Sequence, residues 1–319
     1  MNYQEKKQSL RRITEGGKMN NKVKRNKSGI YSKQNLAYYI MLIPFVLIFT
    51  VFTLIPAFVG AVSSFTNFNG MTMPDFVGIE NYSRLLFRDS TFLIVFKNTL
   101  YQALIVGPVG FILSFAVAWL INELNKNVRL IVIFLFYSPT FSGTLYVVWK
   151  YVFANDSNGL VNTLLSKLGI ESINWLSDSQ FSMTVVIIVS IWMSFGTGFL
   201  SFVAGFRGLD RAFYEAAAID GLKNRWQELY YVTLPQMGPQ LLFGAVQSIA
   251  TSFAVGSVNQ ALTGYPSTNN ATDTIILYMS EYGKTRFEFG YASAMSVVLM
   301  AITLILWKII NALLKSFNE

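Results

Sequence analysis

The chain has 319 residues, of which 53% are apolar, 15% aromatic and only 13% charged, against roughly 25% charged in a soluble domain. It contains no Cys and no His, which excludes disulfides, thiolate metal sites and the commonest general base. The formal charge of +8 is uneven, since ten of the 25 Lys and Arg precede Ala37. A basic run directly before an apolar one is a topology signal and an anionic-lipid contact, not a nucleic-acid surface.

Residues 1–35 read as a basic cytosolic tail, with Met1 and Met19 both candidate starts. From residue 36 the pattern predicts an all-α integral membrane protein, a single transmembrane domain over 36–319. Six transmembrane helices are expected at roughly 37–65, 92–122, 130–153, 182–206, 238–262 and 290–314. The first is too long and too far from the N-terminus for a signal-peptide core. The intervening segments sort by charge. The tail, 123–129, 207–237 and the C-terminal end carry 18 Lys or Arg; 66–91, 154–181 and 263–289, with Lys97, carry six. This asymmetry places both termini and the 207–237 loop in the cytosol.

The outer segment Ser64–Leu86 is turn-rich, with Phe65, Phe68, Phe76 and Tyr82 as interfacial anchors. The second, Asn155–Gln180, opens on a turn cluster and places Leu160, Leu164 and Leu168 at helical spacing. The third, Thr263–Phe289, predicts a short helix around Thr274–Met279. The six spans hold no Asp, Glu or His at mid-depth, and Lys97 and Lys150 lie near enough to span ends to snorkel. Ion coupling is therefore poorly supported. Gly283-Lys284-Thr285 lacks the first glycine of a phosphate-binding loop, because Tyr278 stands there. No catalytic site is expected in this chain.

Between the fourth and fifth spans, Glu215–Pro239 predicts a helix–turn–helix. Asp210 caps its first helix, Gly221 supplies the positive-φ stop, and Asn224 with Gln227 forms a second cap. Pro235 and Pro239 are expected to break the second element. In this stretch Glu215-Ala216-Ala217, Asp220-Gly221 and Leu234-Pro235 resemble the EAA loop of permease subunits in binding-protein-dependent ABC importers. Gly221 to Leu234-Pro235 is one residue longer than that family's usual pattern, and Val232 stands where Ile is common. The outer loop Ser64–Leu86 and Asn174-Trp175-Leu176 are similar to sugar permeases of the maltose-transporter type, and the resemblance covers residues 36–319.

The resemblance implies a coupling helix that sits in a cleft of a separate ATPase, with Glu215 in contact and Gly221 shaping the turn. It implies a second homologous permease subunit, two ATPase subunits and an extracytoplasmic solute-binding protein, in a bacterial cytoplasmic membrane. ATP and Mg would be bound by the partner ATPase, with no cofactor in this chain. The substrate site of such permeases lies on the spans flanking the loop, near Ser190, Met193, Ser194, Thr197, Ser248, Thr251 and Ser252; Trp192 is a further polar candidate on the fourth span. With Gln247, the i, i+4 pairs Gln247–Thr251 and Ser248–Ser252 make a continuous polar stripe. Hydroxyls, an amide and aromatic faces suit a sugar. The competing use of the same Ser and Thr is bonding to their own i−4 carbonyls or close helix packing, as for Gly196 and Gly198. The alternatives are an ABC permease for a non-sugar solute and a carrier or channel not driven by ATP.

Overall fold

The computed structural model describes residues 33–141 and 144–316, with side chains for 38–140 and 144–312; most of the basic tail lies outside the described residues. The chain divides between Phe58 and Val59 into two units. In the first, α1 (Lys33–Phe49) passes through a π-helical turn, Thr50–Leu54, into α2 (Ile55–Ser63). The apolar stretch Tyr38–Ser63 is 26 residues long with a mean hydropathy of 2.5, about 39 Å by helix rise. That exceeds a hydrocarbon core of roughly 30 Å.

The second unit is helical, and among the described residues its sole β contact is an isolated bridge, Thr66–Phe76. Its axis is α3 (Ser90–Asn122). Asp89 starts this helix by accepting the Phe92 N–H at 2.9 Å. Arg129 finishes it, donating to the carbonyls of Ile121, Asn122 and Leu124 at 3.3, 2.6 and 2.7 Å. A cation there satisfies orphan carbonyls and complements the helix dipole. Next come α4 (Lys126–Phe141) and the short helices Tyr146–Val152 and Leu160–Lys167. They are followed by α5 (Ser182–Met193), α6 (Thr197–Gly208) and α7 (Arg211–Ile219). The last group is α8 (Gly238–Phe253), α9 (Ser257–Thr263), α10 (Ile275–Ser280) and α11 (Phe289–Ser316).

Three described stretches are long and apolar enough to cross a membrane: Tyr38–Ser63, Ser90–Asn122 and Phe289–Ala312. The expected fourth and fifth spans are each broken, α5 from α6 by 42° and α8 from α9 by 43°. The expected third span falls on α4 and Tyr146–Val152, with residues 142–143 outside the described set. At the first break Ser194 Oγ bonds the Ile191 carbonyl at 2.6 Å, diverting an acceptor from the helical ladder. At the second, Gly256 lies against α10, where a Cβ would come within 3.0 Å of Ile276. The backbone can approach that closely only without a side chain.

Helices α3, α6 and α8 meet through small residues. A Cβ on Gly110 would sit 2.5 Å from Ser194 Oγ, and one on Gly107 would sit 3.3 Å from Ser252 Oγ. The Phe202 ring lies directly on the bare backbone of Gly244. In lipid such close packing replaces the hydrophobic drive that joins helices in water. Phe195, Phe199, Phe202 and Phe206 with Met237 then form one core cluster, in which Phe111 and Phe115 present to Phe202 edge-on at 5.4 and 5.5 Å.

Two polar centres tie the N-terminal half of α3 to its neighbours. Asp89 also accepts the hydroxyls of Tyr278 at 2.8 Å and Tyr291 at 2.7 Å, joining α3, α10 and α11. Deeper, Gln102 and Asn259 form a reciprocal amide pair. Asn259 Nδ2 donates to Gln102 Oε1 at 2.9 Å and to the Thr272 carbonyl at 2.7 Å. Gln102 Nε2 donates to Asn259 Oδ1 and to Ser190 Oγ, each at 3.2 Å. Gln102 is 1% exposed and Asn259 0%. Removing one amide strands the other, whereas removing both strands less. Gln102→Leu alone is therefore expected to cost about 2 kcal/mol. Gln102→Leu with Asn259→Leu should cost clearly less than the sum of the single variants, as thermal unfolding in detergent will read.

Candidate functional site

The polar stretch after α6 folds as three local signals direct. Asp210 Oδ1 accepts the Ala212 N–H at 3.0 Å and opens α7. Gly221, at φ +94, closes it. There Leu222 N–H reaches the Ala217 carbonyl at 3.0 Å and Gly221 N–H the Ala218 carbonyl at 3.2 Å, a Schellman ending. Asn224 Oδ1 then accepts the Gln227 N–H at 2.9 Å, and Gln227 Oε1 reaches back to the Lys223 N–H at 2.9 Å. The expected break at the prolines takes a different form at each. Pro235 lies in the first turn of Leu234–Gln236 and Pro239 in the first turn of α8. At Pro239 a missing N–H costs nothing, so that proline starts α8. Pro235 instead follows helical residues that run from Arg225 through the π-helical turn Leu229–Thr233. This element ends just after it, at Gln236, before a turn at Met237.

Glu215 and Asp220 are exposed, and Glu215 has no ion pair among the described residues. Ala216 is exposed, while Ala217 packs inward at 9% exposure. The same short helix leaves Phe213 56% and Ile219 86% exposed. Behind it the loop is tied to the C-terminal end of α3. Arg225 grips Glu123 with two bonds of 3.1 and 2.9 Å, Trp226 tilts against Trp119 at 5.1 Å, and Tyr214 meets Thr233 at 2.9 Å. Sequence reasoning missed Glu123, Arg225 and Trp119. Their pairing crosses about a hundred positions, and only the Trp at each site hinted at it.

Between α3, α6 and α8 lies a narrow cleft of about 30 Å³, lined among others by Ser114, Ser194, Thr197, Gln247, Ser248 and Thr251. Gln247 Nε2 donates to Thr197 Oγ1 at 2.8 Å across it. No charged side chain lines it. The nine residues anticipated for a pathway separate here, Met193 going to the apolar cluster of Val185, Val186 and Val189. Ser194, Thr197, Gln247, Ser248 and Thr251 come together. Ser190 is buried against Gln102, Ser252 faces Gly107, and Trp192 stacks edge-on to Trp149 at 5.5 Å. Ser248 also donates to the Gly107 carbonyl at 2.6 Å, and Thr251 to the Gln247 carbonyl at 2.9 Å. The polar stripe of α8 thus divides into a face packed on α3 and a face turned to the cleft.

A cavity of about 780 Å³ opens among the N-terminus of α3, α10 and the loop before it. Arg84 stacks 4.0 Å over the Tyr291 ring and bonds Glu288 at 2.5 Å; Arg286 lies 4.4 Å over Tyr282. Burial pushes the Tyr265 hydroxyl well above its usual range, so it stays a neutral donor. Asp273, 1% exposed, accepts the Ser267 N–H at 3.0 Å. Burial raises its carboxyl above the ordinary 3.8, with the Ser267 bonds opposing.

Broken apolar helices around an uncharged cleft, with a capped polar helix between the two broken pairs, define a polytopic membrane transport subunit. The chain belongs to the binding-protein-dependent transport system inner membrane components, whose family model matches residues 108–317. It is accordingly a multi-pass protein of the cytoplasmic membrane. It is 31% identical over 291 residues to the probable ABC transporter permease protein YesP of Bacillus subtilis (strain 168), covering 88% of this chain and 93% of that one. It is 28% identical over 294 residues to the arabinooligosaccharides transport system permease protein AraP of the same organism, covering 90% and 91%. Its fold matches a chain in the crystal structure of a bacterial ABC transporter involved in the import of the acidic polysaccharide alginate. The TM-score is 0.74 at 24% identity, over 90% of this chain and 98% of that one.

Two outcomes follow from the local chemistry. Gly221→Ala meets no atom within 4 Å, so its cost is backbone strain alone, about 1 kcal/mol. Hydrogen exchange at the Leu222 amide should quicken about fivefold, and less in Gly221→Asn, which tolerates positive φ. For Asp273 the folded state holds its proton more tightly than the unfolded one. Its contribution is therefore greatest below the unfolded value of 3.8 and is lost as pH rises through the raised folded value. Asp273→Asn removes that slope. Melting curves between about pH 4 and 7 should show wild type losing ground to the variant as pH rises.

Proposed function

We propose that the chain is the permease subunit of an ATP-driven carbohydrate importer, forming half of a translocation pathway that works by alternating access. Six spans with both termini cytosolic put the α7 loop on the inner side, as the loop charges support. Helix α7 is then the coupling helix, gripped by one of two separate ATPase subunits. Glu215, Ala216, Asp220 and Gly221 belong to that contact, with Ala217 seating the helix from its buried side and Leu234 and Pro235 carrying the loop into α8. ATP and Mg reside in the ATPase, and this chain performs no catalysis. A second, homologous permease completes the pathway, and an extracytoplasmic solute-binding protein delivers the substrate.

The observation that carries this reading is the surface of α7. A nine-residue helix fixed at both ends leaves Phe213 and Ile219 bare beside an unpaired Glu215. Exposed apolar side chains rimmed by polar ones mark a protein contact. A stiff mounting through Arg225–Glu123 and Trp226–Trp119 suits a part that must transmit force. Differential nucleotide affinity of two states in the ATPase would supply the energy. The carbohydrate assignment is supported by the relatives that carry arabinooligosaccharides and by a cleft of hydroxyls and one amide without charge. A charged solute would call for an opposite charge along the wall.

Affinity capture of the tagged chain from its native membrane tests the reading. Wild type should bring down an ATPase and a second permease. Glu215→Ala and Gly221→Asp should lose about tenfold of the ATPase while keeping the permease, a coupling loss of about 1.4 kcal/mol. A wild-type chain that purifies alone and transports without ATP overturns the proposal.

A further inference from the structure

The outer cavity is separated from the uncharged cleft along α3. It meets that helix at Ser90 and Thr91, and the cleft meets it at Gly110, about 30 Å further on by helix rise. At about 780 Å³ it falls within the size range of small-molecule sites. Its polar groups divide into two sets. One set is spent on the fold. Tyr278 bonds Asp89, Arg286 bonds Glu281 and caps the Tyr282 ring, and Arg84 is held by Glu288. The other set has no hydrogen-bond or ionic partner among the described residues. It comprises the side-chain polar groups of Thr91, Tyr265, Asn270, Arg88 and Glu80, all lining the cavity.

From these unspent groups we infer that the cavity is a second carbohydrate site, for a neutral oligosaccharide, on the outer face of this chain. The inference rests on the importer topology proposed above. Hydroxyl, amide, guanidinium and carboxylate together supply donors and acceptors on several sides, which a polyol uses and an apolar ligand leaves stranded. The Tyr265 ring stacks on no other ring among the described residues, so one aromatic face is free for the apolar side of a sugar. Charge decides between a neutral sugar and a uronate. The lining holds Arg84, Arg88 and Arg286 against Glu80, Asp89 and Glu281. Three cations against three anions leave no net attraction for a carboxylate. The spent set makes the wall rigid before any ligand arrives, so little ordering is needed on binding.

The site lies where a sugar would wait before entering the pathway. It gives the permease its own hold on substrate, apart from any contact with the delivering protein.

The test uses the full chain in lipid nanodiscs, with arabinotriose, maltotriose and trigalacturonate as probes. Saturation-transfer NMR detects contact and calorimetry measures affinity. A neutral trisaccharide should bind, and Tyr265→Phe, Thr91→Val and Asn270→Gly should each weaken it about fivefold, the effect of one lost hydrogen bond. Tyr265→Phe removes an oxygen that bonds nothing in the protein, so unchanged melting should accompany its loss of affinity. Gln247→Leu, in the cleft, should leave this affinity unaltered. Binding weakened by Gln247→Leu but not by the three outer variants overturns the inference and leaves the importer reading standing. Preference for trigalacturonate, or no trisaccharide bound, overturns it as well. So does an outcome in which the outer variants lose capture of the solute-binding protein but keep sugar affinity. ATPase capture reads the importer assignment separately. A chain that captures the ATPase and holds no sugar here refutes this site alone.

Discussion

The packing around the N-terminal half of α3 depends on an amide pair that water cannot replace. Gln102 and Asn259 satisfy one another and, through Ser190 and the Thr272 carbonyl, fasten α3 to α5, α9 and the loop beyond. In an apolar surround an unpaired amide carries its full desolvation cost, so the pair fixes one register of these elements and penalises others. Past the 43° bend that separates α8 from α9, Asn259 anchors α9 to α3 in this way. Above it, Asp89 does for α10 and α11 what the amides do below. A single carboxylate there caps one helix and collects hydroxyls from two others.

Helix α3 links every region of interest. Its first turn borders the large cavity, and its middle sets Gly107 against Ser252 of α8 and Gly110 against Ser194 at the α5–α6 break. Its last turn presents Trp119 and Glu123 to the loop that carries α7. The cleft and the inner loop are therefore positioned by the same rigid body. Capping side chains close both ends of α3, and Ser248 of α8 bonds the Gly107 carbonyl beside Pro108, so a neighbouring helix helps to satisfy the backbone where the proline interrupts the ladder.

Much of the inner loop was legible in the sequence because its signals are local. Asp210, Gly221 and Asn224 act on backbone groups within a few residues, and each does so in the fold as its chemistry directs. The apolar runs were equally plain, since hydropathy accumulates along the chain. What escaped were pairings at long separation. Gln102 and Asn259 lie 157 positions apart, and nothing local distinguishes a polar residue that faces a partner from one that faces a pore. The α8 stripe shows the same limit. Its i, i+4 spacing correctly marked shared faces, but whether a face meets Gly107 or open space is decided by another helix. The two breaks were hidden because a bend of about forty degrees leaves composition unchanged. The two prolines differ in what they do: the second element of the α7 loop ends just after Pro235, whereas Pro239 begins the next helix.

The glycine contacts carry a mechanical consequence. Where Phe202 rests on the backbone of Gly244, and Ser194 on Gly110, there is no flexible side chain between helices to absorb displacement. Interfaces of this kind have low compliance: a push on one helix reappears in its neighbour almost undiminished, as in a close-fitted joint. Softness is then concentrated at the two bends. A load arriving at the inner loop would be converted chiefly into angular change at Ser194–Gly196 and Ala254–Gly256, and little of it would be dissipated on the way.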